Sequence, residues 1–279
     1  MHNFKTFLLM FFLMLIFLWV GDLIGGSEGM KTAFWLALGV NFFSYFFSDK
    51  MVLSHYRAKE IKASDATGLY QIVQTLAKNA ELPMPKVYLI EENVPNAFAT
   101  GRNPKHAAVA ATTGLLELMD KNEITGVLAH EMSHVKHYDI LTSSVVATFT
   151  SAIGMLGQFA RYQNPSSNQK RGGGLSSVFA IILMPIAATI IQFAVSRTRE
   201  YAADAGSAEL TGHPEWLISA LEKLESYSKR KIMARATPQT AHLFIVNPLC
   251  AFSGVLLSLF STHPATYKRI AHLRKLIKE

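Results

Sequence analysis

The sequence is poor in cysteine and in charge. Cys250 is the only cysteine, so no intramolecular disulfide can staple the fold, which suits a reducing compartment. Charged residues make up 17% of the chain against 50% hydrophobic ones, less charge than an ordinary soluble domain carries. The formal charge is +7, which fits either a nucleic-acid surface or the cytoplasmic flank of a membrane protein. No basic run interleaved with aromatics is present, so nucleic acid is not an expected partner. Internal repeats are lacking too. The one low-complexity stretch is PSSNQKRGGG at 165–174, which is expected to be a flexible link.

What the chain does have is long uncharged runs. Sixteen residues lie between Lys5 and Asp22, and 17 between Lys31 and Asp49. Twenty-one more lie between Asp139 and Arg161, and 25 between Arg171 and Arg197. A bilayer core takes about 20 helical residues, so these runs predict a multi-pass membrane protein with about four transmembrane helices, its partner being the lipid bilayer. The first run has no A-x-A-like cleavage site and a second run follows at once, which predicts a retained anchor rather than a signal peptide. Pro185 and several Ser and Thr residues soften the last two runs, so either full spans or a buried hairpin remains open there.

Flanking cations set the orientation. The link between the first two runs holds Asp22, Glu28 and only Lys31, whereas Lys50, Arg57, Lys59 and Lys62 follow the second. The excess of cations on that side puts the N-terminus and everything after the second run in the cytoplasm. Arg161, Lys170 and Arg171, between the last two runs, point the other way. The expected organisation is a transmembrane hairpin at 1–48, then a cytoplasmic catalytic domain at 49–279 interrupted by a second hydrophobic hairpin at 140–196.

The polar part reads as α+β. Leu69, Ile72, Val73, Leu76 and Ala80 recur at helical period, predicting an amphipathic helix over 65–80. MPKVYLIEE predicts a strand near 84–92, and 96–114 predicts strand, Gly-Asn-Pro turn, strand. Helical period returns over 115–137 and over 198–229, with a break at Gly212 to Pro214, and a surface helix is expected from 263 to 278.

His130-Glu131-Met132-Ser133-His134 is an H-E-x-x-H match. On a helix, positions four apart share a face, so both imidazoles can meet one Zn2+ while Glu131 reaches the metal-bound water. A catalytic zinc wants a third protein ligand. His137 shares the face but lies about 10 Å along the axis from His130, too far for one ion. The metzincin pattern would need glycine where His137 stands and histidine where Ile140 stands, so that class is excluded. A glutamate from another helix remains. Glu200 is the candidate, with Asp204 one turn on as a hydrogen-bond partner for a ligand imidazole; Glu209 is the competitor. Chain length favours Glu200: if the zinc helix runs straight into the third apolar run, a hairpin of equal arms brings Glu200 back to the level of His134. With Glu131 as base, this chemistry predicts hydrolysis of peptide bonds.

HEMSH, SRTREYAAD at 196–204, NAFATG at 96–101 and FSTHP at 260–264 together resemble the HtpX family of bacterial membrane zinc metalloproteases, gluzincins related to the CAAX prenyl proteases. The motifs fall in family order across most of the chain. The resemblance implies a mostly helical zincin-type domain with a small edge-strand sheet, one zinc ion at His130, His134 and Glu200, and Glu131 as catalyst. It further implies that Asn96, Ala97, Phe98 and Ala99 form an edge strand to which a substrate backbone could add. His263 or Arg269 is implied as a contact to the oxyanion or to the groups behind the metal. The family is associated with heat shock and quality control of membrane proteins, in the bacterial inner membrane with the site facing the cytoplasm. A catalytically silent membrane scaffold or chaperone that retains a structural metal is the alternative. A metal transporter would need ionisable residues inside the spans, and all four runs lack them.

Overall fold

The computed structural model describes residues 2–65, 67–146, 197–230 and 264–277. Helix α1 (His2–His55) is two arms rather than one rod: Gly25 and Gly26 leave helical geometry, Gly26 at φ 56°. Only glycine takes such a reversal without strain. The arms then run antiparallel and close, since a Cβ on Gly29 would fall on the Gly21 carbonyl oxygen and Asn41 Nδ2 donates to the Met10 carbonyl at 3.4 Å.

The transmembrane expectation needs correction for the described residues: no helix among them is long and apolar enough to cross a membrane. The uncharged runs in the two arms stop at 16 and 17 residues, at the short end of what a bilayer core takes, roughly 17–25. Asn41, Ser44 and Ser48 also interrupt the second run. The third run is described only to residue 146. The fourth run and the link at 165–174 lie outside the described residues.

After α1 come β1 (Lys59–Ile61), α2 (Leu69–Asn79), β2 (Lys86–Ile90), β3 (Ala97–Gly101), a 3-10 turn (Pro104–His106) and β4 (Ala107–Thr112). The sheet order is β1-β2-β4-β3, with β2 parallel to β4 and the other pairs antiparallel. Alternation sorts its side chains between two faces. Val87, Ala97, Ala99, Val109 and Ala111 join Leu69, Ile72, Val73 and Leu76 of α2 in the main core. Ile90, Phe98, Ala108 and Ala110 meet Val52 and Leu53 at the end of α1. The 11-residue α2 has five buried residues on one face, which is how its period reads in the sequence.

Helices α3 (Thr113–Leu118) and α4 (Lys121–Lys136) follow, then α5 (Arg197–Thr211), α6 (Pro214–Arg230) and α7 (Thr266–Leu276). The single helical stretch expected over 115–137 is split at Met119 and Asp120, because Asp120 caps α4. The C-terminal helix expected on the surface buries Arg269, Ile270 and Leu273.

The expected straight run from α4 into the third apolar run is also broken. Residues 137 and 138 form a turn, with Tyr138 at φ 61°, and helix resumes at 139–146. That new helical stretch packs Leu141, Val145 and Val146 against Leu9 and Leu13 of α1, and Thr142 Oγ1 hydrogen-bonds Thr6 Oγ1 at 2.8 Å.

Candidate metal centre

Helix α4 is held at its start by a capping box. Asp120 accepts from the Asn122 and Glu123 amides at 2.8 and 2.9 Å, and Glu123 accepts from the Asp120 amide at 2.9 Å. These bonds satisfy donors that would otherwise be orphaned. The same Glu123 carboxylate takes Ser219 Oγ and Lys223 Nζ, each at 2.6 Å, which locks α4 onto α6. Helix α5 crosses α4 closely because Gly206 faces Ser133, leaving no room for a Cβ, and Ser207 Oγ donates to the Gly126 carbonyl at 2.7 Å.

That crossing brings His130, His134 and Glu200 together: one ligand atom from each lies within 4.8 Å of the others. His130 Nε2 is 3.2 Å from His134 Nε2 and 3.7 Å from Glu200 Oε2. His134 Nε2 is 3.6 Å from Glu200 Oε1. Ligands about 2.0–2.1 Å from a tetrahedral ion stand roughly 3.3 Å apart. The two imidazole nitrogens stand near that spacing, and the Glu200 carboxylate lies a few tenths of an ångström wider, with one oxygen toward each histidine.

Each imidazole is aimed by its other nitrogen. His130 Nδ1 lies 3.0 Å from Asp204 Oδ1, and His134 Nδ1 lies 3.3 Å from Asp139 Oδ2. A carboxylate on Nδ1 fixes the tautomer that presents the Nε2 lone pair. Both aspartates are backed by arginine. Arg269 Nη2 donates to Asp204 Oδ1 at 2.6 Å and its Nε to Oδ2 at 3.0 Å; Arg199 Nη1 donates to Asp139 Oδ1 at 3.0 Å.

Burial and the neighbouring Arg269 charge hold the His130 imidazole below its ordinary value, against the pull of Asp204. Burial also pulls His134 down, but the Asp139, Glu200 and Glu131 carboxylates outweigh it and raise the ring to about 9. His130 Nε2 and His134 Nε2 face each other across 3.2 Å, on the side where an ion held by both rings would sit. Burial opposes ionisation of Asp204, yet Arg269 and His130 bring it down to about 2.

Glu131 is buried next to this triangle, and its Oε2 accepts the Ala99 amide proton at 3.0 Å. Ala99 belongs to β3, the outer strand of the sheet. Asn96 to Ala99 lie along that edge and are all buried. Further on, Gly101 N–H donates to Ser144 Oγ at 3.2 Å. Of the other sequence candidates, Glu209 is exposed and pairs with Lys136 at 3.8 Å, away from the triangle. His137 caps α4, with its Nδ1 2.8 Å from the Ser133 carbonyl. His263 lies outside the described residues.

Sequence reasoning missed Asp139 and Arg199. Asp139 marks only the boundary of an apolar run in the sequence, and Arg199 is only one letter of the SRTREYAAD stretch. Their pairing crosses 60 residues and leaves no local pattern. The one legible signal is that two ligand histidines call for two Nδ1 acceptors.

A mostly helical α+β domain, with two histidines of one helix and a glutamate of another gathered beside an edge strand, defines a zincin-like metallopeptidase. Residues 63–277 match the profile of Peptidase family M48. A protein named Protease HtpX homolog from Campylobacter curvus (strain 525.92) is 57% identical over 279 residues, covering 99% of this chain and 98% of the relative. Its namesake from Sulfurovum sp. (strain NBC37-1) is 51% identical over 276 residues, covering 99% and 100%. In fold, the chain resembles the crystal structure of S. mikatae Ste24p with a TM-score of 0.54 at 19% identity, covering 93% of this chain and 62% of that longer one. The chain belongs to peptidase family M48 and is a metalloprotease.

Proposed function

We propose that this protein is a zinc-dependent endopeptidase embedded in the bacterial inner membrane, with His130, His134 and Glu200 as its metal ligands. The observation that carries it is the triangle of ligand atoms, all within 4.8 Å of one another, with the Glu131 carboxylate beside it. When bound, zinc polarises a peptide carbonyl and acidifies water toward a pKa of about 7. Glu131 takes the proton from the attacking water and passes it to the leaving amine. The Ala99 amide holds that carboxylate in place, while Arg269 and Asp204 keep His130 aimed. A substrate backbone adds to β3 along Asn96 to Ala99 once that buried edge is uncovered; His263, the other residue implied for the oxyanion beside Arg269, lies outside the described residues. Intact Glu131 does not favour the silent-scaffold alternative.

Membrane placement rests on α1. Phe4, Phe7, Trp19, Trp35, Phe42 and Phe43 are exposed along its two arms, and apolar surface of that extent seeks lipid. Residues 1–48 serve as the anchor and 49–279 hold the catalytic domain; the second hydrophobic hairpin expected at 140–196 lies mostly outside the described residues. The site faces the cytoplasmic side, where Lys50, Arg57, Lys59 and Lys62 collect. The substrates are misfolded or damaged membrane proteins and some cytoplasmic ones, cut under stress.

The test is casein cleavage by the full chain, purified in detergent and loaded with zinc. Cleavage should vanish with a chelator, return with zinc, and be absent from zinc-loaded Glu131→Gln. Equal cleavage by Glu131→Gln would discard the mechanism.

A further inference from the structure

We propose that Asp139, held by Arg199, is the positioning residue for His134 and sets how tightly the site retains its metal. The inference rests on the zinc site proposed above and adds two residues to it.

The two ligand histidines are served by matching chains. His130 leans on Asp204 and Arg269, whose side chains are 0% and 1% exposed. His134 leans on Asp139 and Arg199, at 9% and 19%. The first chain is sealed in the core; the second borders solvent. Its members also come from the two ends of the long internal segment: Asp139 begins the helical stretch 139–146, and Arg199 lies in the first turn of α5, next to Glu200. Adjacent side chains of α5 thus serve the site twice. Glu200 reaches the ligand triangle directly, and Arg199 acts on His134 through Asp139.

The backbone break after α4 makes this contact possible. In an unbroken helix, residue 139 would sit about 140° around and 7.5 Å along from His134, on a different face. The left-handed Tyr138 at φ 61° ends α4 and swings Asp139 back to within 3.3 Å of His134 Nδ1. A non-glycine residue in that conformation costs on the order of 1 kcal/mol, so the turn is sustained by what it places.

Zinc affinity, measured by competition with a chromophoric chelator on the full chain in detergent, tests this. Asp139→Asn removes the charge and keeps the shape. It should weaken zinc binding roughly 10–100-fold and shift the visible spectrum of the Co2+-substituted protein, which reports ligand geometry. Arg199→Gln should weaken binding less. The double variant should be no worse than Asp139→Asn alone, because Arg199 acts through Asp139. Additive losses, or a zinc affinity for Asp139→Asn within twofold of the parent, would overturn the proposal. So would a loss matched by an equal loss in the midpoint of metal-free unfolding with an unchanged Co2+ spectrum, since that describes a merely structural pair. Failure of the parent protein to bind one zinc would instead strike the function proposed above.

Discussion

Arg269 and Asp204, 65 residues apart in the chain, meet at 2.6 Å and are 1% and 0% exposed. The pair joins α7 to α5 directly behind His130. Breaking a buried pair by removing one partner leaves an uncompensated charge in the core. Arg269→Met should therefore destabilise the protein by about 3–5 kcal/mol. Denaturant unfolding of the metal-free protein in detergent measures it; a change under about 1 kcal/mol would mean that water or another cation reaches Asp204.

Glu200 and Glu209 make opposite predictions. Glu200 stands in the triangle, whereas Glu209 is exposed on the far end of α5. Glu200→Ala should lose stoichiometric zinc on elemental analysis after dialysis, and Glu209→Ala should keep it. The reverse pattern would move the third ligand to Glu209.

Metal uptake should depend on pH through His134. Its ring is raised to about 9 in the metal-free protein, so at neutral pH a proton must leave before an ion can bind. Zinc affinity should rise with pH up to about 9 and then level, with about one proton released from His134 per ion at neutral pH. Calorimetry in buffers of different ionisation enthalpy counts that proton. The stability of the metal-free protein runs the other way. His134 is raised above its ordinary 6.5, so its contribution is full below that value and is lost as pH climbs toward 9.

The crossing of α4 and α5 should be intolerant of bulk at Gly206. A Cβ there would come within 2.9 Å of Ser133 Cβ. Gly206→Ala should cost about 1–3 kcal/mol from overpacking and weaken zinc binding by tilting Glu200 away from the histidines. Ser133→Gly in the same chain should recover zinc affinity; if it recovers none, the close approach is not what holds Glu200.

Much of this was legible in the sequence, for physical reasons that differ by element. The period of Leu69, Ile72, Val73 and Leu76 gave α2 because one face is buried and one is wet. The strands at 86–90 and 97–112 showed through their apolar runs and the turn near Pro104. The pairing of His130 and His134 was accessible because helical spacing carries geometry; Glu200 joins them although the straight run assumed for it breaks at Tyr138. Three-residue β1 was not, since so short a strand exists only by pairing with β2. The split at Asp120 was missed although Asp120 and Glu123 spell a capping box. The turn at Tyr138 was missed because tyrosine gives no sign of a left-handed backbone, and with it went Asp139.

The contact between Ala99 and Glu131 has a consequence for genetics. Its donor is a backbone amide, which no exchange of side chain removes except exchange to proline. A saturation scan would thus find position 99 governed by size alone, forgiving of serine or glycine and blind to the bond that steadies the proton-carrying carboxylate. Only Ala99→Pro would expose it. Part of the site is written in the main chain, where comparison of sequences cannot find it.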